Sequence, residues 1–183
     1  MPVFIQKLDE SILIWIQESI RNPYLTPIMQ FCSSLFDRGL LSIVTCILLL
    51  FFKKTRKVGY TATASFALCS IITNLTLKPF FQRTRPYHIL DNLITLTHQP
   101  NDFSFPSGHT TAAFAVAGVL FFYCPKKYGL PALILAILVA LSRVYLGVHF
   151  PSDVLVGAFI GLSVSYVLVL LQNKVHAKGS KPL

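Results

Sequence analysis

An all-α, polytopic transmembrane helix bundle is the fold this sequence predicts, and three observations predict it. Hydrophobic residues make up 54% of the 183-residue chain, above the ~45–50% apolar share usual for soluble domains. The mean hydropathy is +0.62. The apolar residues are also gathered into runs near or above the ~18 residues that cross a bilayer, which a soluble core does not need. Length and pattern are those of one domain over residues 1–183, with no internal repeat or low-complexity tract.

In chain order, the segment Asp9 to Arg21 sets Ile12, Leu13, Ile16 and Ile20 at helical spacing, with Trp15 at their border and Glu10, Gln17 and Glu18 elsewhere. That pattern predicts an amphipathic helix. It is too short and too charged to span, so it is expected in the interface plane. Asn22-Pro23 then turns the chain. The first span runs from about Thr26 to Phe52; its second half is strongly apolar, and Asp37-Arg38-Gly39 interrupts its first half. An ion pair inside the membrane marks function, whereas the same pair at the outer interface is ordinary, and both readings stand at this point. Val58 to Leu77 forms the second span, Thr110 to Tyr123 with its flanks the third, Leu130 to Leu146 the fourth and Val154 to Leu171 the fifth. The expectation is therefore about five spans plus an N-terminal interfacial helix.

The formal charge of +9 arises from 16 Lys and Arg against 7 Asp and Glu. Nine of the bases fall in three clusters, each directly after an apolar run: Lys53, Lys54, Arg56 and Lys57; Lys126 and Lys127; Lys174, Lys178 and Lys181. This is the pattern of cytoplasmic loops under the positive-inside rule. No aromatic-interleaved basic stripe or DNA-binding motif accompanies it, which argues against a nucleic-acid partner. With these clusters cytoplasmic, five spans put the N-terminus, the connection Lys78 to Phe105 and the turn Gly147 to Ser152 on the extracytoplasmic face of a plasma membrane. Cys32, Cys46, Cys69 and Cys124 lie in or at the ends of apolar segments without CxxC spacing, and are expected to be small buried hydrophobes. The N-terminus has no basic stretch before an apolar one and no A-x-A-like site, so no cleaved signal peptide is expected.

Three polar clusters lie at the outer ends of spans. The first is Lys78-Pro79-Phe80-Phe81-Gln82-Arg83-Thr84-Arg85-Pro86; taken alone, its bases could simply snorkel at the interface. The second is Phe103-Ser104-Phe105-Pro106-Ser107-Gly108-His109, just before the third span. Ser104 or Ser107 can cap that helix, and its free N–H groups would receive an anion. The third runs from Ser142-Arg143 through His149 to Asp153. A carboxylate four residues after a histidine reaches the ring if the turn between them is helical, fixing the tautomer as in the serine triad. Together the clusters supply Lys78, Arg85 and Arg143 for an anion, a helix N-terminus for its remaining oxygens, and two histidines. One histidine can attack phosphorus while the other protonates the leaving oxygen. A metal site would want more acids and histidines than are free here.

Lys78-x6-Arg85-Pro86, Pro106-Ser107-Gly108-His109 and Ser142-Arg143-x5-His149-x3-Asp153 resemble, in order and spacing, the full three-part signature of the type 2 phosphatidic acid phosphatase superfamily, which also contains the vanadium haloperoxidases. The resemblance implies that His149 is a nucleophile forming a phosphohistidine, Asp153 its partner, and His109 the acid that later activates water. It implies phosphate contacts from Lys78, Arg85, Ser107, Gly108 and Arg143, and chemistry without a metal or other cofactor. Many bacterial members have six spans, whereas five are counted here. The expected substrate is a lipid-linked phosphate or diphosphate, with undecaprenyl diphosphate in cell-wall biogenesis as the leading choice. Phosphatidic acid, phosphatidylglycerol phosphate, a phosphotransferase reaction and non-catalytic binding or transport of a lipid phosphate are the alternatives. Among the remaining residues, Arg83 is read as either a phosphate contact or an exposed loop base. His88 and His98 are read as solvated, Asp102 as orienting its loop, and Trp15 and Tyr145 as interface aromatics.

Overall fold

The amphipathic N-terminal pattern forms α1, Val3–Trp15, which runs on through a π turn, Ile16–Ile20. The computed structural model describes residues 2–179. Helix α1 starts at Val3 rather than Asp9. It buries Asp9 and Leu13 against the rest of the chain and leaves Val3, Phe4, Leu8 and Trp15 exposed, as a helix lying at a lipid interface requires. After Asn22, whose side-chain oxygen accepts the N–H groups of Tyr24 and Leu25, the expected first span is split in two. Helix α2, Leu25–Ser34, and helix α3, Leu40–Phe51, are bent by 41° across the break. Arg38 and Gly39 there have φ of 52° and 73°, values that no helix continues through.

Helix α4, Arg56–Ser70, passes through a π turn, Ile71–Leu77, into α5, Lys78–Phe81. Gln82 closes it in the left-handed region at φ 45°. Helix α6, Gly108–Tyr123, is the most enclosed helix, with every residue from Thr110 to Val119 buried. At 1.5 Å per residue it is roughly 24 Å long, shorter than the hydrocarbon layer. Helix α7, Lys126–Tyr145, and helix α8, Pro151–Gly179, follow. Among the described residues, three helices are long and apolar enough to cross a membrane, and the bent pair α2 and α3 makes a fourth crossing if it counts as one span. Helix α6 completes the arrangement as a shorter apolar helix. The architecture is thus all-α and membrane-embedded, as the sequence predicts.

Helix α6 packs against α4, α7 and α8. Lipid tails are as apolar as leucine, so close packing rather than hydrophobicity holds such helices together, and small residues allow it. On α8 a Cβ at Gly157 would stand 2.9 Å from Ser107 O, and one at Gly161 would stand 2.7 Å from Phe114 Cβ. Ala113, Ala117, Ala136 and Ala140 continue the close contact within the core that also holds Leu13, Phe36 and Phe150.

Alternating helix direction gathers the starts of α6 and α8, the end of α7, and α5 at one end of the bundle. The basic clusters between α3 and α4 and at the start of α7 lie at the other. Of the third cluster, Lys181 lies outside the described residues. The four cysteines are unpaired, and three of them are buried.

Candidate active site

Local turn chemistry sets the third cluster. Past α7 the chain reverses at Gly147, whose φ of 78° favours glycine. A Cβ there would also lie 2.9 Å from Arg21 Nη2. Pro151 opens α8, a position where its missing N–H loses nothing. Asp153, in the first turn, reaches back to accept the N–H of Phe150 at 3.0 Å, the return bond of a capping box. That bond brings the carboxylate beside the preceding residue, His149. The gap between Asp153 Oδ2 and His149 Nδ1 is 3.5 Å, and Nδ1 has no closer partner. The segment between them is only partly helical, which accounts for the length of the gap.

His149 is 1% exposed. Its ring lies in the turn between α7 and α8, and burial pushes its pKa well below 6.5, with Arg85, Arg143, Lys78 and His109 adding repulsion. The ring is therefore neutral at physiological pH. With the proton on the nitrogen facing Asp153, the lone pair is on Nε2, which stands 3.3 Å from Arg85 Nη1.

The first cluster delivers Lys78 and Arg85, which are 7% and 3% exposed. Both pair with Asp102 of the outer connection: Lys78 Nζ through one carboxylate oxygen, and Arg85 Nη2 through the other at 2.6 Å. Burial raises the pKa of Asp102, but the hydrogen bond and charge of Lys78 and the charge of Arg85 outweigh it and hold the carboxyl at about 2. The Arg85 guanidinium also donates to the carbonyls of Asp102 and Val148 at 2.8 and 2.7 Å. With Nε, Nη2 and Nη1 each held by a protein oxygen, the guanidinium keeps Nη1 facing the histidine. In the second cluster His109 sits in the first turn of α6, with Nε2 3.0 Å from Asp37 Oδ1. Asp37 belongs to the break between α2 and α3, so the interruption of that span delivers a carboxylate to a histidine.

Lys78, Arg85, Asp102, Gly108, His109 and His149 line one cavity of about 310 Å³. The other predicted residues lie behind its wall. Ser107 is fully buried; its N–H donates to the carbonyl of Asp153 at 3.1 Å, and it precedes α6 without a side-chain cap bond. Ser104, the other expected cap, instead donates to Asp153 Oδ2 at 2.5 Å. Arg143 is 2% exposed, and its Nη1 donates to Ser33 Oγ.

Several residues depart from the sequence reading. Arg83 is neither an exposed base nor on the cavity: it is buried and paired with Asp153 and Asp9. The signal for Asp9 lay in its register, four residues before Leu13 on the apolar stripe of α1. Asp102 is an ion-pair partner of Lys78 and Arg85, a role beyond ordering its loop. Tyr145 is 4% exposed, its hydroxyl accepting the N–H of Asn22 at 3.1 Å and meeting Thr26 Oγ1 at 2.9 Å, so it is no interface aromatic. Trp15, His88 and His98 are exposed as expected.

Residues 58–177 match the family profile described as the PAP2 superfamily. Over 149 residues, 81% of this chain and 71% of the relative, the chain is 34% identical to an undecaprenyl-diphosphatase of Sulfolobus acidocaldarius. It is 31% identical to phosphatidylglycerophosphatase B of Bacillus subtilis over 186 residues, 93% of this chain and 86% of the relative. The crystal structure of a transmembrane PAP2 type phosphatidylglycerolphosphate phosphatase from Bacillus subtilis superposes with a TM-score of 0.78 at 30% identity, covering 96% of this chain and 89% of that one.

Proposed function

The chain belongs to the PAP2 superfamily and is a membrane phosphatase, and from that premise we propose that it dephosphorylates a lipid-linked phosphate or diphosphate through a phosphohistidine on His149. One observation carries the reading: a neutral, buried His149 faces a cationic cavity while Asp153 backs its other nitrogen. The Nε2 lone pair forms the N–P bond as the bond from phosphorus to the leaving oxygen breaks. His109, protonated once the negative charge of the phosphate stands beside it, gives that oxygen its proton. In the second half, His109 takes a proton from water, the hydroxide attacks phosphorus, and the N–P bond breaks to return neutral His149. Lys78 and Arg85, which line the cavity, stabilise the charge that develops on the equatorial oxygens, with the N–H of Gly108 at the start of α6 assisting and the buried Arg143 adding its charge from behind the wall. Preorganised cations supply here what a metal would otherwise supply, so the reaction runs without one. Asp37 holds the His109 ring and Asp102 holds the Lys78 and Arg85 side chains.

The leading substrate is undecaprenyl diphosphate, supported by the 34% identity to a relative of that name. Phosphatidylglycerol phosphate is the second reading, supported by the Bacillus subtilis relative and structure. The basic clusters at the far end of the bundle support a cavity on the extracytoplasmic face, where a phosphate in water stays joined to a tail in the bilayer.

Quenched-flow trapping in excess EDTA tests the chemistry, with isoprenoid diphosphate, glycerolipid phosphate and aryl phosphate as substrates. Wild type should accumulate acid-labile phosphoenzyme on His149, and His149→Ala should form none. His109→Ala should slow the first step far less for the aryl phosphate, whose leaving group needs little protonation. Phosphoenzyme in His149→Ala, or activity that disappears with EDTA and returns with Mg²⁺, would overturn the mechanism. The substrate with the highest kcat/KM decides between the two lipid classes.

A further inference from the structure

The strongest unexplained feature of the molecule is a buried chain of charges leading away from the cavity. Arg83 lies behind Asp153: its Nη1 donates to Asp153 Oδ1 at 2.5 Å and to Ser152 Oγ at 2.7 Å. Its Nη2 donates to Asp9 Oδ2 at 2.7 Å and to Gln6 Oε1 at 2.7 Å. The Phe150 ring covers the guanidinium at 4.0 Å. Asp9 in turn accepts the backbone N–H of Ser152 at 3.0 Å and its hydroxyl at 2.5 Å. That N–H belongs to the first turn of α8, where helix donors lack intrahelical partners and a carboxylate is favoured. Asp9, Arg83 and Asp153 are 3%, 8% and 0% exposed.

The division of the Asp153 oxygens gives this chain a purpose. Oδ1 is taken by Arg83, while Oδ2 takes Ser104 Oγ and the Phe150 N–H and faces the histidine. A carboxylate held through both oxygens cannot rotate about its own axis, so the oxygen presented to Nδ1 is fixed. Asp9 and Gln6 hold the arginine that does the holding, and both come from α1. Asp9 lies outside residues 58–177, the stretch that matches the family profile.

We infer that Arg83 and Asp9 are positioning residues for the His149–Asp153 pair, so that the N-terminal interfacial helix forms part of the working active site. The inference rests on the reading of His149 as nucleophile. Neither residue lines the cavity, so their loss acts on the reaction step and not on phosphate binding. An unpartnered buried arginine or aspartate is also strongly destabilising, so stability and catalysis must be read separately.

The test uses full-length protein in detergent, with Asp9→Asn, Arg83→Met, the double variant, and His149→Ala as a control. The variants are compared by thermal midpoint, phosphoenzyme formation rate, and competitive inhibition by inorganic phosphate. Partners that orient a working histidine are worth roughly 10–100-fold in metal sites, and a loss of that order in phosphoenzyme formation is expected for Arg83→Met. Asp9→Asn keeps the shape and loses less. The inhibition constant for phosphate should stay within about twofold for both. The double variant should lose little more than Arg83→Met alone, because Asp9 acts through the arginine. A lower thermal midpoint with an unchanged phosphoenzyme rate in the folded fraction would make the network merely structural and overturn the inference. A weakened phosphate inhibition constant for Arg83→Met would make Arg83 a phosphate contact and overturn it too. Phosphoenzyme in His149→Ala would instead remove the reading beneath it, an outcome distinct from either.

Discussion

A fully buried imidazole surrounded by Arg85, Arg143 and Lys78 does not hold a second proton, and a nucleophile at neutral pH needs that property. Under the proposed mechanism, the cations that would bind the phosphate also keep the attacking nitrogen unprotonated before the phosphate arrives. Because the His149 pKa lies well below 6.5, protonation that silences the free enzyme occurs only in acid. The acid limb of kcat/KM for an aryl phosphate, corrected for the ionisation of the substrate, should thus fall well under pH 6.5, with activity flat above it on that side. An acid limb at or above pH 6.5 would contradict the neutral nucleophile. Asp102 works at the same scale: with its carboxyl at about 2, it is charged throughout this range and keeps Lys78 and Arg85 aligned as pH changes.

At the scale of elements, a helix break and a helix contact do the positioning. The break at Asp37-Arg38-Gly39 was visible as an interruption of an apolar run. Its use was not, because the 3.0 Å bond from Asp37 to His109 depends on a 41° bend that no residue pattern specifies. The contact between α6 and α8 holds the two helix starts that carry His109 and Asp153 side by side. Its tightness rests on Gly157 and Gly161. A side chain at Gly161 would meet Phe114 Cβ at 2.7 Å and Ala115 N at 2.9 Å. Overpacking of this kind costs about 1–3 kcal/mol. Gly161→Val should therefore lower the thermal midpoint measurably and reduce activity as the helix starts separate, whereas the exposed Phe159→Val should change neither by much. An unchanged midpoint for Gly161→Val would show that the interface is looser than its distances imply.

For the whole molecule, alternating spans sort the chain into a polar reaction end and a basic end. Single cysteines in place of Lys54, Lys126 and Asn92, in a background with the native cysteines replaced, should report this by labelling in intact cells. An impermeant reagent should reach the Asn92 site, with the Lys54 and Lys126 sites reacting only after permeabilisation. The opposite pattern would put the cavity on the cytoplasmic face and change the substrate pool it meets. The sequence by itself determined the helical, membrane-embedded class, because apolar runs of spanning length have few other solutions. It also placed Lys78, Arg85, Gly108, His109 and His149 together, because all fall at the same end of antiparallel spans, whereas Ser107 and Arg143, expected at the same anion, stand behind the cavity wall. The pairing of His149 with Asp153 was legible as well, since one turn of chain joins them. Only the tertiary structure decided the partners of Arg83, Asp37 and Asp102. The bond from Arg83 to Asp9 joins residues 74 positions apart, and its formation depends on how α1 seats against the start of α8. An arginine in a loop is soluble by default and is buried only where acids already stand to receive it; local pattern carries no information about acids that distant helices bring.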